Sequence, residues 1–147
     1  MDEIIDKNTI CRQSDAIEVR RMDNRGRGGR GVFAIRPIAA GSLIECVPVL
    51  LIPKAQVFGD TPEARRNSRI SWYVFAWDDI TKRTYVALAL GYGSIYNHSF
   101  TPNARYQPKA PDLLEFYAIE DISPGSEIFI NYHGKTANPA ALEFDVH

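Results

Sequence analysis

Short apolar runs that alternate with polar turns constrain the fold of this chain more than any other feature of its sequence. The connections between the runs contain glycine, proline, asparagine and aspartate, the residues that tight turns favour. Only residues 53–71 read as partly helical, with Pro53 and Pro62 as helix breakers. Candidate strands lie at residues 16–22, 32–35, 42–52, 72–77, 83–90, 113–119 and 127–132. We therefore predict a mainly β fold with short helices.

The spacing of these runs also predicts how some strands pair. Residues 72–77 and 83–90 read as two strands joined by a short polar connection, and residues 113–119 and 127–132 as a second such pair. Pro48 favours an edge strand or a bulge for residues 42–52, because proline cannot donate a backbone hydrogen bond to a neighbouring strand.

Length and composition indicate one globular domain. A chain of 147 residues, 45% hydrophobic and 24% charged, is large enough to bury a core. We predict an N-terminal arm at residues 1–15 and a single domain at residues 16–147, which includes a C-terminal tail at 133–147. No apolar run approaches the ~20 residues of a spanning helix, and the acidic start is unlike a secretion signal. An intracellular protein without a membrane partner is expected.

Cysteine count and charge argue against two classes of site. Cys11 and Cys46 are too few for a cysteine-held zinc cluster, so free thiols and no metal site are predicted. The net charge of −1 argues against a general nucleic-acid binder, and no direct nucleic-acid contact is expected. An RNA contact by the Gly/Arg turn before Val32 is the weaker alternative, because flanking aromatic repeats are absent.

The segment Asn97-His98-Ser99-Phe100-Thr101-Pro102-Asn103 carries the densest set of polar side chains in the sequence. It lies between an apolar strand and another aromatic residue, Tyr106. Because buried polar groups must find hydrogen-bond partners, the pattern favours a polar pocket inside the fold. A turn rich in asparagine, serine and proline is the simpler interpretation of this segment alone.

Two further segments decide between these interpretations. Gly28-Gly29-Arg30-Gly31-Val32-Phe33-Ala34 lies upstream, and Pro124-Gly125-Ser126-Glu127-Ile128-Phe129-Ile130-Asn131-Tyr132 lies downstream. In this order and spacing, the three segments resemble the SET-domain protein lysine methyltransferases, from about Ala16 to Tyr132. The chain has no C-terminal cysteines and so resembles the smallest viral and bacterial members, which lack a zinc segment. The resemblance implies a β-clip fold of small sheets around a knot-like C-terminal threading.

The resemblance implies S-adenosylmethionine as the cofactor. It assigns cofactor contacts to the glycine segment at Gly28, Gly29 and Arg30, with Arg30 acting mainly through its main chain. Further cofactor contacts are implied for Asn97, His98, Tyr132 and Phe144. An amide offers both a donor and an acceptor, which suits an ammonium, a carboxylate or an adenine edge.

The resemblance also implies a channel for a lysine side chain. Tyr132 matches the tyrosine at which the chemistry occurs, and Tyr106 and Tyr92 are assigned to the substrate channel. A third channel tyrosine of some members has no counterpart in the run Ile44-Glu45-Cys46-Val47, so the number of methyl groups added stays open.

The expected function is methylation of lysine side chains in a protein, with a histone H3 tail as the preferred substrate and a nuclear location if the source is eukaryotic. A catalytically silent SET-fold module that binds a peptide is the alternative. A homodimer could form through exposed aromatic residues, for which Trp72, Tyr73 and Trp77 are the candidates.

Phe144 generates the first prediction. Without a metal-held lid, a tail aromatic that stacks on adenine should contribute ~1–3 kcal/mol to cofactor binding. Phe144→Ala, or truncation after Ala140, should weaken S-adenosylmethionine binding about tenfold to hundredfold in calorimetry. A chelator should leave activity unchanged, and normal affinity in the truncated protein would contradict the assignment.

Overall fold

The structure is a computed structural model that describes residues 8–23, 29–77 and 85–132. Within these ranges the strands are β1 (Ile17–Arg21), β2 (Arg30–Ala34), β3 (Leu43–Pro53), β4 (Val74–Trp77), β5 (Tyr85–Ala89), β6 (Asn97–His98), β7 (Ala104–Lys109), β8 (Leu113–Ala118) and β9 (Glu127–Ile130). The helices are α1 (Lys54–Phe58) and α2 (Pro62–Asn67), followed by a 3₁₀ turn at Ile70–Trp72. The predicted mainly β fold with short helices is confirmed.

The two short helices lie within the partly helical segment 53–71 that the sequence predicts, and the position of each proline marks a helix start and not a break. Pro53 immediately precedes α1, and Pro62 is the first residue of α2. The Thr61 hydroxyl oxygen accepts a hydrogen bond from the Ala64 backbone N–H at 3.0 Å, which satisfies one of the unpaired donors at the start of α2. Both helices are brief, so the sheets make the core.

One sheet has four strands in the order β1-β2-β9-β6. β1 and β2 form an antiparallel pair. β9 lies between β2, with which it is antiparallel, and β6, with which it is parallel. The predicted pairing of residues 113–119 with 127–132 is therefore wrong, because β9 leaves the neighbourhood of β8 and joins the other sheet.

The second sheet has five strands in the order β4-β5-β3-β8-β7. The predicted pair of residues 72–77 and 83–90 is confirmed as the antiparallel strands β4 and β5. β7 was not predicted from the sequence, since it contains Pro108 and three exposed residues at its end.

Pro48 lies in the central strand of this sheet, where β3 changes its pairing partner. Leu43–Pro48 pairs with β8, whereas Val49–Pro53 pairs with β5 on the other side. Pro48 accepts a hydrogen bond from Leu90 but has no N–H to offer, so the change of partner accommodates it. The edge-strand interpretation is thus replaced by a central strand, and the ladder's irregularity lies earlier, between Leu43 and Glu45.

The core lies between the two sheets. Tyr96 and Phe116 are its largest fully buried side chains, and their rings stack with centroids 4.5 Å apart. Phe75 packs edge-on against Phe116 at 6.1 Å. Trp72, Tyr73 and Trp77 are half-buried, so the structure does not present them as the exposed aromatic patch expected for a dimer.

The described part of the predicted N-terminal arm lies against the second sheet. Arm residues and β3 residues line an open cavity of about 360 Å³, to which β7 and β8 contribute one residue each. Its lining comprises Ile10, Cys11, Arg12, Ser14, Leu43, Ile44, Glu45, Cys46, Lys109 and Glu115.

The predicted tail at 133–147, and with it the knot-like threading, lies outside the described residues. None of the described helices is long and apolar enough to span a membrane.

Asn103 generates a prediction about the four-stranded sheet. Its amide nitrogen donates to the Glu127 carbonyl at 2.9 Å, and its amide oxygen accepts from the Phe129 N–H at 2.8 Å. Asn103→Ala removes both bonds to β9 and should lower the free energy of unfolding by about 1–3 kcal/mol. Urea denaturation measures this change. Asn67→Ala, at the exposed end of α2, is the control, and equal effects of the two substitutions would contradict the bracing role of Asn103.

Candidate active site

The glycine segment enters the site through residues 29–31. Gly29 has a φ of 68°, a conformation that favours glycine. At Gly31 a Cβ atom would lie 2.6 Å from Glu127 Oε2 and 2.8 Å from Met22 Sδ, so a larger residue cannot fit without displacement. Gly31 is a residue that the sequence assignments missed, although it stands in the quoted motif. Gly28, which was assigned a cofactor contact, lies outside the described residues.

Asn97 ties the glycine segment to β9. Its amide nitrogen donates to the Arg30 carbonyl at 2.8 Å and to Glu127 Oε2 at 2.7 Å. Asn97 is 3% exposed, and both hydrogens of its amide group are used in these two bonds. A contribution from Asn97 to a ligand would therefore come from its amide oxygen or its main chain.

Glu127 is a second site residue that sequence reasoning missed. As an acidic residue next to a turn it could be taken for a surface charge, but it is half-buried at the start of β9 and accepts the bond from Asn97. Its side chain also occupies the space that a Cβ at Gly31 would need. Glu127 thus locks the Asn97 amide beside the glycine segment.

His98 and Tyr132 contact each other through a hydrogen bond and through their rings. The Tyr132 backbone N–H donates to His98 Nδ1 at 3.0 Å, and the two ring centroids are 4.9 Å apart. Because Nδ1 accepts, the neutral imidazole carries its proton on Nε2. Phe100 also packs edge-on against the imidazole, with ring centroids 4.2 Å apart. The ring of His98 is therefore fixed in both orientation and tautomer.

Tyr132 forms hydrogen bonds through both its hydroxyl and its backbone carbonyl. The Tyr132 hydroxyl donates to the Tyr96 carbonyl at 2.9 Å, and the Tyr106 hydroxyl donates to the Tyr132 carbonyl at 3.0 Å. The ring of Phe75 supports Tyr106 edge-on, with centroids 4.8 Å apart. Each phenol gives its hydrogen to a backbone carbonyl, so each oxygen can act towards a substrate only as an acceptor.

A buried carboxylate lies behind this tyrosine cluster. Glu45 Oε1 accepts from the Tyr96 hydroxyl at 2.8 Å, and Glu45 Oε2 accepts from the Tyr92 N–H at 3.0 Å. Burial raises the pKa of Glu45, and the two hydrogen bonds oppose that rise. Burial, followed by the neighbouring Glu45 charge, raises the pKa of Tyr96 well above its usual value. Tyr96 therefore stays a neutral donor.

The structure thus brings together most of the residues that the sequence assigned to a site. Gly29, Arg30, Asn97, His98 and Tyr132 are linked through β2, β6 and the end of β9, and Tyr106 joins Tyr132 directly. Tyr92 lies further along, where its hydroxyl is 3.5 Å from the side-chain nitrogen of Gln13. Phe144 lies outside the described residues. Within the described ranges, no group of three histidine, cysteine or acidic side chains could hold a metal ion.

Residues 29–133 match the SET domain family, and this range contains all of the described site residues. The match covers more than half of the chain and includes the glycine segment, the Asn-His pair and the terminal tyrosine. The chain belongs to the SET domain family.

Comparison with known proteins agrees with this membership. The chain is 31% identical over 117 residues to a Schizosaccharomyces pombe protein named histone-lysine N-methyltransferase, H3 lysine-37 specific, covering 79% of this chain and 72% of that protein. A candidate histone methyltransferase of Plasmodium falciparum, known from a crystal structure, is 26% identical with a TM-score of 0.60. The likeness spans 85% of this chain and 96% of that one.

Two further structures share the fold at lower identity. The Neurospora SET domain protein DIM-5, a histone lysine methyltransferase, is 20% identical with a TM-score of 0.61, over 86% of this chain and 55% of that chain. A Chaetomium thermophilum Polycomb Repressive Complex 2 structure bound to S-adenosylmethionine is 22% identical with a TM-score of 0.59, over 81% of this chain and 15% of that chain. The predicted SET-domain fold and the predicted enzyme class, a protein lysine methyltransferase, are confirmed.

Asn97 generates the prediction for this site. Asn97→Ala leaves Glu127 Oε2 and the Arg30 carbonyl without their donor, which should cost about 1–3 kcal/mol of folding free energy. It should also abolish S-adenosylmethionine binding, because the Arg30 carbonyl and the Glu127 carboxylate lose the amide that fixes them beside β6. Chemical denaturation and calorimetry on folded protein measure the two effects.

Asn97→Asp is a sharper version of the same test. The new carboxylate would face Glu127, so the loss of stability at neutral pH should exceed that of Asn97→Ala and should shrink as acid protonates one of the pair. Undiminished cofactor affinity in either folded variant would show that Asn97 supports the fold and not the cofactor site.

Proposed function

We propose that the protein transfers methyl groups from S-adenosylmethionine to a lysine side chain of a histone H3 tail. The observation that carries this proposal is the junction at Tyr132, where the His98 imidazole and the Tyr96 and Tyr106 hydrogen bonds converge beside the segment that Asn97 ties down. We assign cofactor contacts to Gly29, Arg30, Asn97 and His98, catalysis to Tyr132 and the substrate channel to Tyr106.

The donors around the glycine segment fit a zwitterionic cofactor. Arg30 Nε is buried and has no hydrogen-bond partner among the described residues, so a cationic donor is left for a carboxylate. The imidazole of His98 offers a fixed Nε2–H, and the backbone at Gly29 allows close approach. These groups would hold the amino-acid portion, and S-adenosylmethionine supplies the methyl group as a sulfonium.

The substrate amine must be neutral before it can accept a methyl group. Its ordinary pKa of ~10.4 makes deprotonation near neutral pH cost roughly 4 kcal/mol, and an apolar channel reduces that cost. The Tyr132 and Tyr106 oxygens can only accept, so they would bind the N–H groups of the neutral amine and direct its lone pair away from them. Alignment of this kind can supply up to ~7–11 kcal/mol of the barrier reduction.

The S. pombe relative supports a histone H3 substrate, because its name specifies lysine 37 of that histone. The target lysine of the present protein does not follow from that name. A histone substrate would place the protein in the nucleus of a eukaryotic cell. Tyr92 stays a predicted channel residue, and a homodimer stays a prediction that light scattering can test.

Methyl transfer from labelled S-adenosylmethionine to recombinant histones tests the proposal. Incorporation into H3 that peptide mass spectrometry assigns to lysine supports it. Cofactor and peptide binding without incorporation would instead support the silent binding module.

The hydroxyl groups of the two tyrosines generate the mutational prediction. Tyr132→Phe removes the acceptor for the amine and should lower kcat about tenfold or more, with S-adenosylmethionine affinity within about threefold of the wild type. Tyr106→Phe should mainly change the proportions of mono-, di- and trimethylated product. Product mass spectrometry and calorimetry report the two effects.

Tyr117→Phe is the matched control, since Tyr117 lies on β8 under the Arg105 guanidinium rather than at the Tyr132 junction. Wild-type turnover and products in Tyr132→Phe would overturn its assignment. Loss of cofactor binding in Tyr106→Phe would place Tyr106 in the cofactor pocket.

A further inference from the structure

Glu45 is a buried carboxylate to which the reaction described above gives no role. It lies in the central strand β3, and its side chain is 4% exposed. A carboxylate in such a position is destabilising unless hydrogen bonds compensate for the lost water. The two hydrogen bonds that compensate for the lost water therefore indicate what Glu45 holds in place.

Both carboxylate oxygens bind one short stretch of chain, Gly91–Tyr96, which we call the bridging segment. Oε2 accepts from the Tyr92 N–H near its beginning, at 3.0 Å. Oε1 accepts from the Tyr96 hydroxyl at its end, at 2.8 Å. A single side chain of β3 therefore fixes both ends of the bridging segment.

The bridging segment is shaped to receive this carboxylate. Gly91 has a φ of 57°, and a Cβ at that position would lie 2.9 Å from Glu45 Oε2 and 2.8 Å from Val47 Cγ1. A side chain at position 91 would thus displace the carboxylate or the strand that carries it. Glycine at this position and glutamate at position 45 form one structural unit.

The end of the bridging segment leads directly to the candidate catalytic tyrosine. The Tyr96 carbonyl accepts the hydrogen bond from the Tyr132 hydroxyl at 2.9 Å. The side chain and the carbonyl of the same residue thus connect Glu45 to Tyr132. A movement of the Tyr96 backbone would shift both the ring whose hydroxyl binds Glu45 and the carbonyl that orients the Tyr132 hydroxyl.

We propose that Glu45 is a positioning residue for methyl transfer, which fixes the bridging segment so that the Tyr96 carbonyl holds the Tyr132 hydroxyl with its oxygen available to accept from the substrate amine. This inference rests on the proposed function. The cofactor side of the site is held by other bonds, from Asn97 to Arg30 and Glu127 and between β6 and β9. Loss of Glu45 should therefore affect turnover far more than cofactor affinity.

Glu45→Gln tests the inference with little change of volume. Glutamine replaces one of the two acceptor oxygens with an NH2 donor, so either the Tyr92 N–H or the Tyr96 hydroxyl loses the acceptor that it has in the wild type. We expect kcat to fall about tenfold or more while S-adenosylmethionine affinity stays within about twofold. Glu115→Gln is the matched control, because Glu115 lies on the neighbouring strand β8 and lines, together with Glu45, the cavity beside the N-terminal arm. It should retain wild-type turnover.

Tyr96→Phe breaks the same connection from the other side. It should reproduce the loss of kcat, and the double variant Glu45→Gln/Tyr96→Phe should lose about as much as either single variant, because both remove one shared interaction. Tyr96→Phe also keeps the inference testable if Glu45→Gln does not fold. Faster hydrogen exchange of the Tyr92 amide in folded Glu45→Gln, seen by NMR, is expected as a readout independent of activity.

The outcomes separate the two proposals. A wild-type protein that methylates no histone overturns the proposed function. An active wild type with an equally active Glu45→Gln or Tyr96→Phe variant overturns the inference alone. A parallel loss of cofactor affinity and turnover, or fully additive losses in the double variant, would also overturn it, since Glu45 would then support the fold in general.

Discussion

The hydrogen bonds on both edges of β9 bring the glycine segment, the Asn-His pair and Tyr132 together. On one edge β9 pairs with β2, which carries the glycine segment, and on the other it pairs with β6, which is the Asn-His pair itself. The side chains of Asn97 and Asn103 add bonds to Glu127 and Phe129 of the same strand. Three segments that are distant in sequence are thereby placed side by side, and Tyr132 follows two residues after the end of β9.

The buried polar groups of this protein form two separate networks with different consequences. Around Asn97 the network consists of an amide, a carboxylate and a backbone carbonyl, and it organises the glycine segment. Around Glu45 the carboxylate accepts hydrogen bonds from a phenol and a backbone amide. These bonds fix the bridging segment, whose last residue binds the Tyr132 hydroxyl. Because unpaired polar groups are costly in a low-dielectric interior, each network restricts its segment to one arrangement. The site is thus held mainly by polar contacts, and Tyr106 and Tyr132 also pack against the apolar core.

Much of the fold could be predicted from local patterns, whereas its long-range pairings could not. The alternation of apolar and polar residues located β1, β4, β5 and β8, and proline positions located the short helices. The partner of β9 could not be found in this way, because apolar residues 127–132 suit either sheet. β7 was not predicted, because its exposed end, with Pro108, lacks an apolar face.

The candidate site, like the fold, could be predicted from the sequence only in part. The motifs indicated Asn97, His98, Tyr106 and Tyr132, but not what each hydrogen bond would do. Asn103 resembled a pocket residue and instead braces β9, while Glu127 resembled a surface acid and instead binds Asn97. Glu45 gave no local signal, since its partner Tyr96 lies 51 residues further along the chain.

The position of β9 also has a consequence for the order in which the protein folds. The β4–β5 and β7–β8 pairs join strands that are neighbours in sequence, whereas Val32 of β2 pairs with Ile128 of β9 from opposite ends of the described chain. Closing so long a loop carries a larger entropic cost than closing a hairpin, so contacts of this kind form late. The β4–β5 and β7–β8 pairs can accordingly form before the glycine segment and the Asn-His pair meet. A partly unfolded chain would then hold these local pairs while the residues of the candidate site stayed apart.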